Sequence, residues 1–159
     1  MTGFVIGKFC PPHLGHDHVI RTALAATDNL IIIVCGKKTQ PIVLGLRIQW
    51  LKEMYPQADI RVLNQDLFDD TNEEAWTAAT KQCLGTVPDL MFSSEDYGDH
   101  YAHLLGCKHV LVDKERNIVP ISASKILTSP LEFQQYLLPP ARAWFRSQDR
   151  PSPLPETRR

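Results

Sequence analysis

The sequence lacks the features that mark zinc-binding and redox proteins. Its 159 residues contain four cysteines, and no two of them form a C-x-x-C pair. A structural zinc site or a redox dithiol is therefore not expected. Widely spaced cysteines beside apolar segments are typical of a reduced protein, so we expect a cytoplasmic location.

Charge and hydropathy exclude further classes of protein. The formal net charge is −1 and the isoelectric point is about 6.6, whereas nucleic-acid-binding domains are usually basic. No apolar run approaches the roughly 18 residues that a membrane-spanning helix needs. The N-terminus also lacks the pattern of a signal peptide. We therefore expect neither a nucleic acid nor a membrane as a partner.

Strand and helix patterns alternate along the chain. Strands are predicted at residues 4–9, 30–35, 59–63, 89–92 and 108–112, and helices at 16–26, 46–54, 73–84, 100–105 and from 121 onward. This alternation predicts an α/β fold, with a Rossmann-like five-stranded parallel sheet covered by helices on both faces. A small helical C-terminal region follows, in two pieces separated by Pro139-Pro140. Residues 1–147 would form this domain, and the proline-rich residues 148–159 would form a disordered tail.

The segment between the first predicted strand and helix carries the strongest functional signal. It contains Lys8, then His13, Gly15 and His16 at the point where the helix begins. Backbone N–H groups at a helix N-terminus bind anions, and two imidazoles and an ammonium would add donors. This combination predicts phosphate binding and nucleotide chemistry. Zinc binding by these histidines with His18 is the alternative, but no carboxylate or cysteine at ligand spacing completes such a site.

Polar residues follow most of the other predicted strands, and the carboxyl ends of parallel strands meet at one edge of the sheet. Ser122 and Ser124 are good N-caps, and their hydroxyls could also reach a phosphate. Lys125 lies in the same first turn, where a cation is unfavourable for the helix dipole unless an anion is bound. We therefore expect a single active site at this edge.

Several residues have both a structural and a functional explanation. Trp76 lies on an amphipathic helix, where it would pack in the core or stack against a ligand ring. Arg47 is either a surface residue or a contact to phosphate or substrate. His100, His103 and His109 form no recognisable group with other functional residues, and we expect them at the surface or in an interface.

These segments resemble a known family. Residues 7–16, Gly-Lys-Phe-x-Pro-x-His-x-Gly-His, resemble the first signature of the HIGH-type nucleotidyltransferases, and residues 121–126, Ile-Ser-Ala-Ser-Lys-Ile, resemble the second. Residues 47–50, 88–95 and 110–116 are similar to the NadR-type nicotinamide mononucleotide adenylyltransferases in particular.

The resemblance implies transfer of AMP from ATP to the 5′-phosphate of nicotinamide mononucleotide, which gives NAD and pyrophosphate. Magnesium would be bound through the ATP phosphates, and no residue of the protein is expected to be a metal ligand. The resemblance implies catalytic roles for Lys8, His13 and His16; ATP binding by Gly7, Phe9, Gly15, Ser122, Ser124 and Lys125; and substrate binding by Gly36, Arg47, Trp76 and Glu95. The sequence leaves a homo-oligomer open.

The chain departs from the family pattern at one position. The second signature usually ends in Arg, where this chain has Leu127. A triphosphate contact is thus missing, and Lys125 would replace it only in part. No G-x-x-x-x-G-K-[ST] segment occurs, so ribosylnicotinamide kinase activity is not expected. Two alternatives stay open: another adenylyl- or cytidylyltransferase of the same fold, or a catalytically weakened nucleotide-binding sensor.

Overall fold

Five parallel strands form the central sheet of the computed structural model, which describes residues 1–148. The strands are β1 (Thr2–Gly7), β2 (Asn29–Gly36), β3 (Asp59–Asn64), β4 (Leu90–Ser93) and β5 (Lys108–Leu111), in the spatial order β3-β2-β1-β4-β5. The helices are α1 (Leu14–Ala26), α2 (Leu44–Met54), α3 (Glu73–Leu84), α4 (Gly98–Leu105), α5 (Ala123–Thr128) and α6 (Pro139–Gln148). The predicted fold class is confirmed. The strand order reverses between β1 and β4, where open α/β sheets bind their ligands.

Side chains of the central strands alternate between two apolar layers. Phe4 faces the layer that contains α3 and α4, whereas Val5 faces the layer that contains α1 and α2. β2 is buried from Leu30 to Gly36, as its continuous apolar sequence predicts. Burial of each such Ile or Val side chain stabilises the fold by roughly 1.5–3 kcal/mol. The sheet is therefore a rigid base from which the loops at its carboxyl edge project.

Local sequence signals set the ends of several helices. The side chain of Asn72 accepts a hydrogen bond from Ala75 N at 3.0 Å and caps α3, as predicted. α3 and α4 end at Gly85 and Gly106, whose φ angles of 71° and 81° favour glycine. Ser122 caps α5 by accepting from Lys125 N at 3.3 Å.

Some predicted boundaries were wrong by a few residues. β1 ends at Gly7, so Lys8 and Phe9 belong to the loop that follows it. The two predicted helical pieces are present, as a 3₁₀ turn (Gln134–Tyr136) and α6, but the proline pair does not lie between them. Pro139 and Pro140 instead form the first turn of α6, where their missing N–H groups have no intrahelical acceptor to lose.

The C-terminal region packs against α2 and the loop after β1. The rings of Trp50 and Trp144 meet edge to face with their centres 5.8 Å apart. Leu138 N donates to Pro12 O at 3.4 Å, which joins this region to the segment before α1. Gln148, assigned by the sequence to the tail, is the last residue of α6, and the rest of the predicted tail lies outside the described residues. Across residues 1–148, none of the helices combines the length and the apolar character that crossing a membrane requires.

Candidate active site

Two neighbouring cavities lie at the carboxyl edge of the sheet. The first cavity, of about 280 Å³, lies between the ends of β1, β4 and β5 and the starts of α1 and α5. The second cavity, of about 860 Å³, lies beyond the ends of β1 and β2 and beside the starts of α3 and α4. Their shared wall includes Gly7, Phe9, His16 and Ser124. The expected single site is thus a pair of connected compartments at the switch point of the sheet.

His13 and His16 cap α1 reciprocally. His13 Nδ1 accepts from Gly15 N at 3.0 Å, and His16 Nδ1 accepts from His13 N at 3.1 Å. The two rings stack with their centres 3.8 Å apart. Because both Nδ1 atoms accept, the proton of each neutral imidazole is on Nε2. Both rings line the first cavity, so each Nε2–H is the donor that remains for a ligand there.

Burial keeps both imidazoles neutral. Burial, and secondly the charge of Arg116, lowers the pKa of His13 to about 4. Burial, followed by repulsion from His13 and Arg116, holds the pKa of His16 well below its ordinary value. A protonated Nδ1 would face a backbone N–H donor, so the electrostatics and the cap favour the same tautomer. The site therefore offers two neutral hydrogen-bond donors at neutral pH.

The loop after β1 supplies the rest of this wall. Phe9 has a φ of 49°, and its ring meets the His16 ring edge to face at 4.8 Å. A Cβ atom at Gly15 would lie 2.7 Å from Cε1 of His13, so only glycine leaves room for the capping ring. Lys8 is exposed and lines the second cavity. Glycine, aromatic and histidine residues of the first signature thus form one interlocked unit.

The second signature contributes to both cavities, though not with every predicted residue. Ser122 lines the first cavity and Ser124 lines both. Lys125 lines neither, because its Nζ lies over the ring of Phe133, 5.3 Å from the ring centre. This placement does not support the predicted ATP contact of Lys125. Leu127, at the position where the family pattern has Arg, lies in the wall of the second cavity.

Arg47 has a structural position. Its side chain is fully buried, and its guanidinium donates to Ile42 O at 3.0 Å, Lys8 O at 2.6 Å and Cys35 O at 3.1 Å. It also donates to Gln40 Oε1. Arg47 is therefore not a surface residue, and its guanidinium binds backbone oxygens in place of a substrate. These bonds join the loop after β1 to the loop after β2. The sequence could not show this, because the carbonyl groups come from three separate segments.

Two other predicted substrate contacts lie elsewhere. Gly36 ends β2 and lines neither cavity; a Cβ atom there would lie 2.5 Å from Cδ2 of Leu44. The close approach of α2 therefore explains why residue 36 is a glycine. Glu95 lines the first cavity, on the side predicted for ATP, and its Oε1 lies 3.4 Å from Nη2 of Arg116.

Trp76 packs against neighbouring side chains and also lines a cavity, so both of its predicted positions, in the core and beside a ligand, apply in part. Its Nε1 donates to Asp70 O at 2.6 Å, and its ring meets that of Phe68 edge to face at 5.3 Å. The same ring lines the second cavity. Asp70 also pairs with Lys37 at 2.6 Å, which joins the loops after β2 and β3. Trp76 is thus held in a fixed orientation in the cavity wall.

A buried histidine with two polar partners, which no sequence pattern indicated, lies beside the loop after β4. The His109 side chain is only 2% exposed, so the prediction that it lies at the surface was wrong. Its Nε2 lies 2.7 Å from Ser93 Oγ and its Nδ1 lies 2.7 Å from Asp99 Oδ1. Ser93 Oγ in turn accepts from Glu95 N at 3.3 Å, so this chain of bonds orders the loop after β4. No sequence pattern indicates that residues 93, 99 and 109 are neighbours. They meet because α4 packs on β4 and β5.

Arg116 received no role from the sequence, although it belongs to one of the matching segments. It lines the first cavity and donates from Nη1 to Ile121 O at 2.6 Å. Within residues 1–148, His, Cys, Asp and Glu side chains form no group of three or more that could hold a metal ion.

Comparisons with known proteins agree with the sequence signatures. No protein-family model matches the chain. The trifunctional NAD biosynthesis/regulator protein NadR of Escherichia coli K12 is 29% identical over 165 aligned residues, which cover 90% of this chain and 40% of NadR. The nicotinamide-nucleotide adenylyltransferase of Aeropyrum pernix is 35% identical over 99 residues, which cover 57% of this chain and 58% of that enzyme. The chain thus spans less than two thirds of either relative.

A crystal structure of NadR protein in complex with NR has the same fold. It aligns with a TM-score of 0.67 and 19% identity, over 86% of this chain and 43% of that one. The predicted resemblance is confirmed: in its signatures, its relatives and its fold, the chain resembles the HIGH-type nucleotidyltransferases of the NadR kind.

Proposed function

We propose that the chain is a nicotinamide-nucleotide adenylyltransferase, which transfers AMP from ATP to nicotinamide mononucleotide and produces NAD and pyrophosphate. The main support is the reciprocal cap of His13 and His16, which aims two neutral Nε2–H donors at the cavity beside the sheet's switch point. The names of the relatives from Escherichia coli and Aeropyrum pernix support the choice of substrates.

The two cavities divide the substrates between them. The first cavity, with its histidine and serine donors, suits the phosphate chain of ATP. The second cavity, with Lys8, Trp76 and Tyr97 in its wall, suits a mononucleotide that carries one phosphate and one aromatic ring. The reacting phosphates would meet at the shared wall, beside His16 and Ser124.

The reaction needs positioning more than proton transfer. An oxygen of the mononucleotide phosphate attacks the α-phosphorus of ATP. The bond from that phosphorus to the oxygen bridging to the β-phosphorus breaks, and its electron pair leaves with pyrophosphate. Because the attacking phosphate is already ionised, the chain needs no general base. It aligns the two phosphates and stabilises the developing negative charge.

Particular residues carry these tasks. His13 and His16 donate from Nε2 to phosphate oxygens as charge builds on the leaving group. Lys8, exposed at the end of β1, attracts the mononucleotide phosphate from the second cavity. Magnesium would enter bound to the ATP phosphates and would neutralise part of their charge. The N–H and O–H donors of the first cavity suit phosphate oxygens, and the carboxylates of Glu95 and Asp113 in its wall suit a cation bound with them.

A direct assay tests the proposal. Purified protein is mixed with ATP, magnesium and nicotinamide mononucleotide, and NAD and pyrophosphate are measured over time. We expect the two products in equal amounts. Parallel reactions replace the mononucleotide by phosphopantetheine, FMN or glycerol phosphate, and ATP by CTP. Faster turnover with one of these would identify another transferase of the same fold, and ATP binding without any product would identify a sensor.

A further inference from the structure

The first cavity has one permanent positive charge. Arg116 is the only Lys or Arg among the described residues that line it. The other candidate cations lie elsewhere: Lys8 lines the second cavity and Lys125 packs over Phe133. Position 127, which the family pattern assigns to Arg, is a Leu in the second cavity. If a triphosphate binds in the first cavity, Arg116 is the cation that it meets.

Arg116 is held in a way that leaves part of its guanidinium available. Nη1 donates to the backbone oxygen of Ile121 at 2.6 Å, and Ile121 is itself only 2% exposed. Nη2 lies 3.4 Å from Glu95 Oε1, which is long for a charge-assisted hydrogen bond. The side chain is 39% exposed. One side of the guanidinium is therefore anchored, while the other makes a weak contact that a phosphate can replace.

Arg116 is also the only permanent cation in a described cavity wall that contains two carboxylates, Glu95 and Asp113. His13 and His16 are neutral, since burial and the field of Arg116 lower the pKa of both. Neutral donors orient phosphate oxygens but leave the charge of a triphosphate without a counter-charge from the protein. Arg116 lines the same cavity as both imidazoles, so its charge adds to the effect of burial in lowering the pKa of each.

We propose that Arg116 binds the phosphate chain of ATP, and that Glu95 is the counter-ion which the phosphate displaces. The inference rests on the proposed function, because it takes ATP to be the ligand of the first cavity. The planar guanidinium can donate two parallel hydrogen bonds to a phosphate, with Ile121 fixing its orientation. Arg116 thereby performs, from the loop after β5, the task that the family pattern gives to the residue at position 127.

Lys114 provides a matched control. It lies in the same loop and pairs with Asp96 at 2.8 Å, so it joins the same two loops as the Arg116–Glu95 pair. Lys114 does not line the first cavity. Replacing either residue by Ala removes one cation and one inter-loop ion pair, but only Arg116→Ala removes a charge from the cavity. Arg116→Ala also removes the hydrogen bond to Ile121 O, and Arg116→Lys tests how much of the loss the charge alone restores.

Calorimetric titration of the full chain with magnesium–ATP, and separately with pyrophosphate, tests the inference. We expect Arg116→Ala to weaken both affinities roughly 10- to 100-fold, the effect of losing hydrogen bonds between charged groups. Arg116→Lys should restore part of the loss, and Lys114→Ala should stay within about 2-fold of wild type. Equal losses in Arg116→Ala and Lys114→Ala would overturn the inference, because a general disturbance of the loop would then explain both.

A measurement made without nucleotide distinguishes the loss of a phosphate contact from misfolding of the variant. The pKa of His13, followed by NMR of its ring, should rise in Arg116→Ala and stay unchanged in Lys114→Ala. An unchanged His13 pKa in Arg116→Ala would contradict the placement of the guanidinium. If the wild type binds ATP and pyrophosphate but Arg116→Ala binds them equally well, only this inference fails. If the wild type binds neither ligand, the proposed function fails with it.

Discussion

The two cavities share a wall but are built in opposite ways. The histidine donors of the first cavity depend on contacts between neighbours in sequence, since His13 bonds to residues only two and three positions away. The second cavity depends on contacts across the chain: Arg47 reaches Lys8, 39 residues earlier, and Lys37 reaches Asp70, 33 residues later. The histidine cap is therefore encoded locally, whereas the shape of the second cavity depends on the whole fold. Four experiments test this contrast.

Replacing Arg47 should have the largest effect. Arg47→Met keeps much of the length of the side chain but leaves the oxygens of Lys8 and Ile42 without the guanidinium donor, and the oxygen of Cys35 with only the long bond from Gln40. At roughly 1–3 kcal/mol for each unsatisfied group, the free energy of unfolding should fall by about 4 kcal/mol. Urea denaturation measures it, with Lys52→Met on the exposed face of α2 as a control. Full stability combined with a raised KM for the mononucleotide would instead make Arg47 a substrate contact.

Acid should lower the free energy of unfolding through His13 in the wall of the first cavity. Between pH 6.5 and about 4, the unfolded chain protonates His13 while the folded chain does not. Stability therefore falls as the pH drops through this window and is fully present above it, with a loss of roughly 3 kcal/mol from this residue. His13→Asn keeps an N-cap acceptor without a titrating ring and should reduce the slope, leaving the part that comes from His16. The same slope in wild type and in His13→Asn would contradict the assignment, with exposed His103→Asn as the control.

Removing one donor of the first cavity should lower turnover strongly. His16→Ala deletes a hydrogen bond that strengthens in the transition state, so kcat should fall by roughly 10²-fold or more. Steady-state kinetics at saturating ATP and mononucleotide measure it. His16→Gln, which keeps a cap acceptor and a donor, should lose less activity. A kcat that His16→Ala leaves unchanged would refute the catalytic role.

The smallest effect is expected in the second cavity. Trp76→Leu removes the aromatic face and should raise the KM for the mononucleotide by about 10-fold, while Trp76→Phe should raise it only slightly. Both variants lose the hydrogen bond to Asp70, so their difference isolates ring stacking from loop anchoring. Equal KM values in the two variants would show that Trp76 acts only through packing against Phe68.

The sequence predicted most of the fold from periodicity. The buried run of β2 and the caps at Asn72 and Gly85 lie where their local patterns place them. The errors concern residues whose environment is assembled from distant segments. Arg47 lies near the start of a helix, where exposure was one expectation, and the fold buries it completely. His109 has no partner close in sequence, yet Ser93 and Asp99 enclose it.

The sequence by itself determined the reactive wall of this protein. Gly15, His13 and His16 lie within one helical turn, so their cap forms where the helix begins, and the cap leaves the Nε2–H of each neutral ring as the free donor. Burial by the surrounding fold is what keeps the two rings neutral. Only the tertiary structure decided which cations face the phosphates. Lys125 and Arg116 are both cations in the segments that resemble the family. Lys125, on α5, lies over Phe133, whereas the loop after β5 places Arg116 in the wall of the first cavity. The physical reason is the distance over which each group acts. A hydrogen-bonded helix cap forms between neighbours in sequence, whereas a charged side chain can come from any loop that the sheet brings to the same edge.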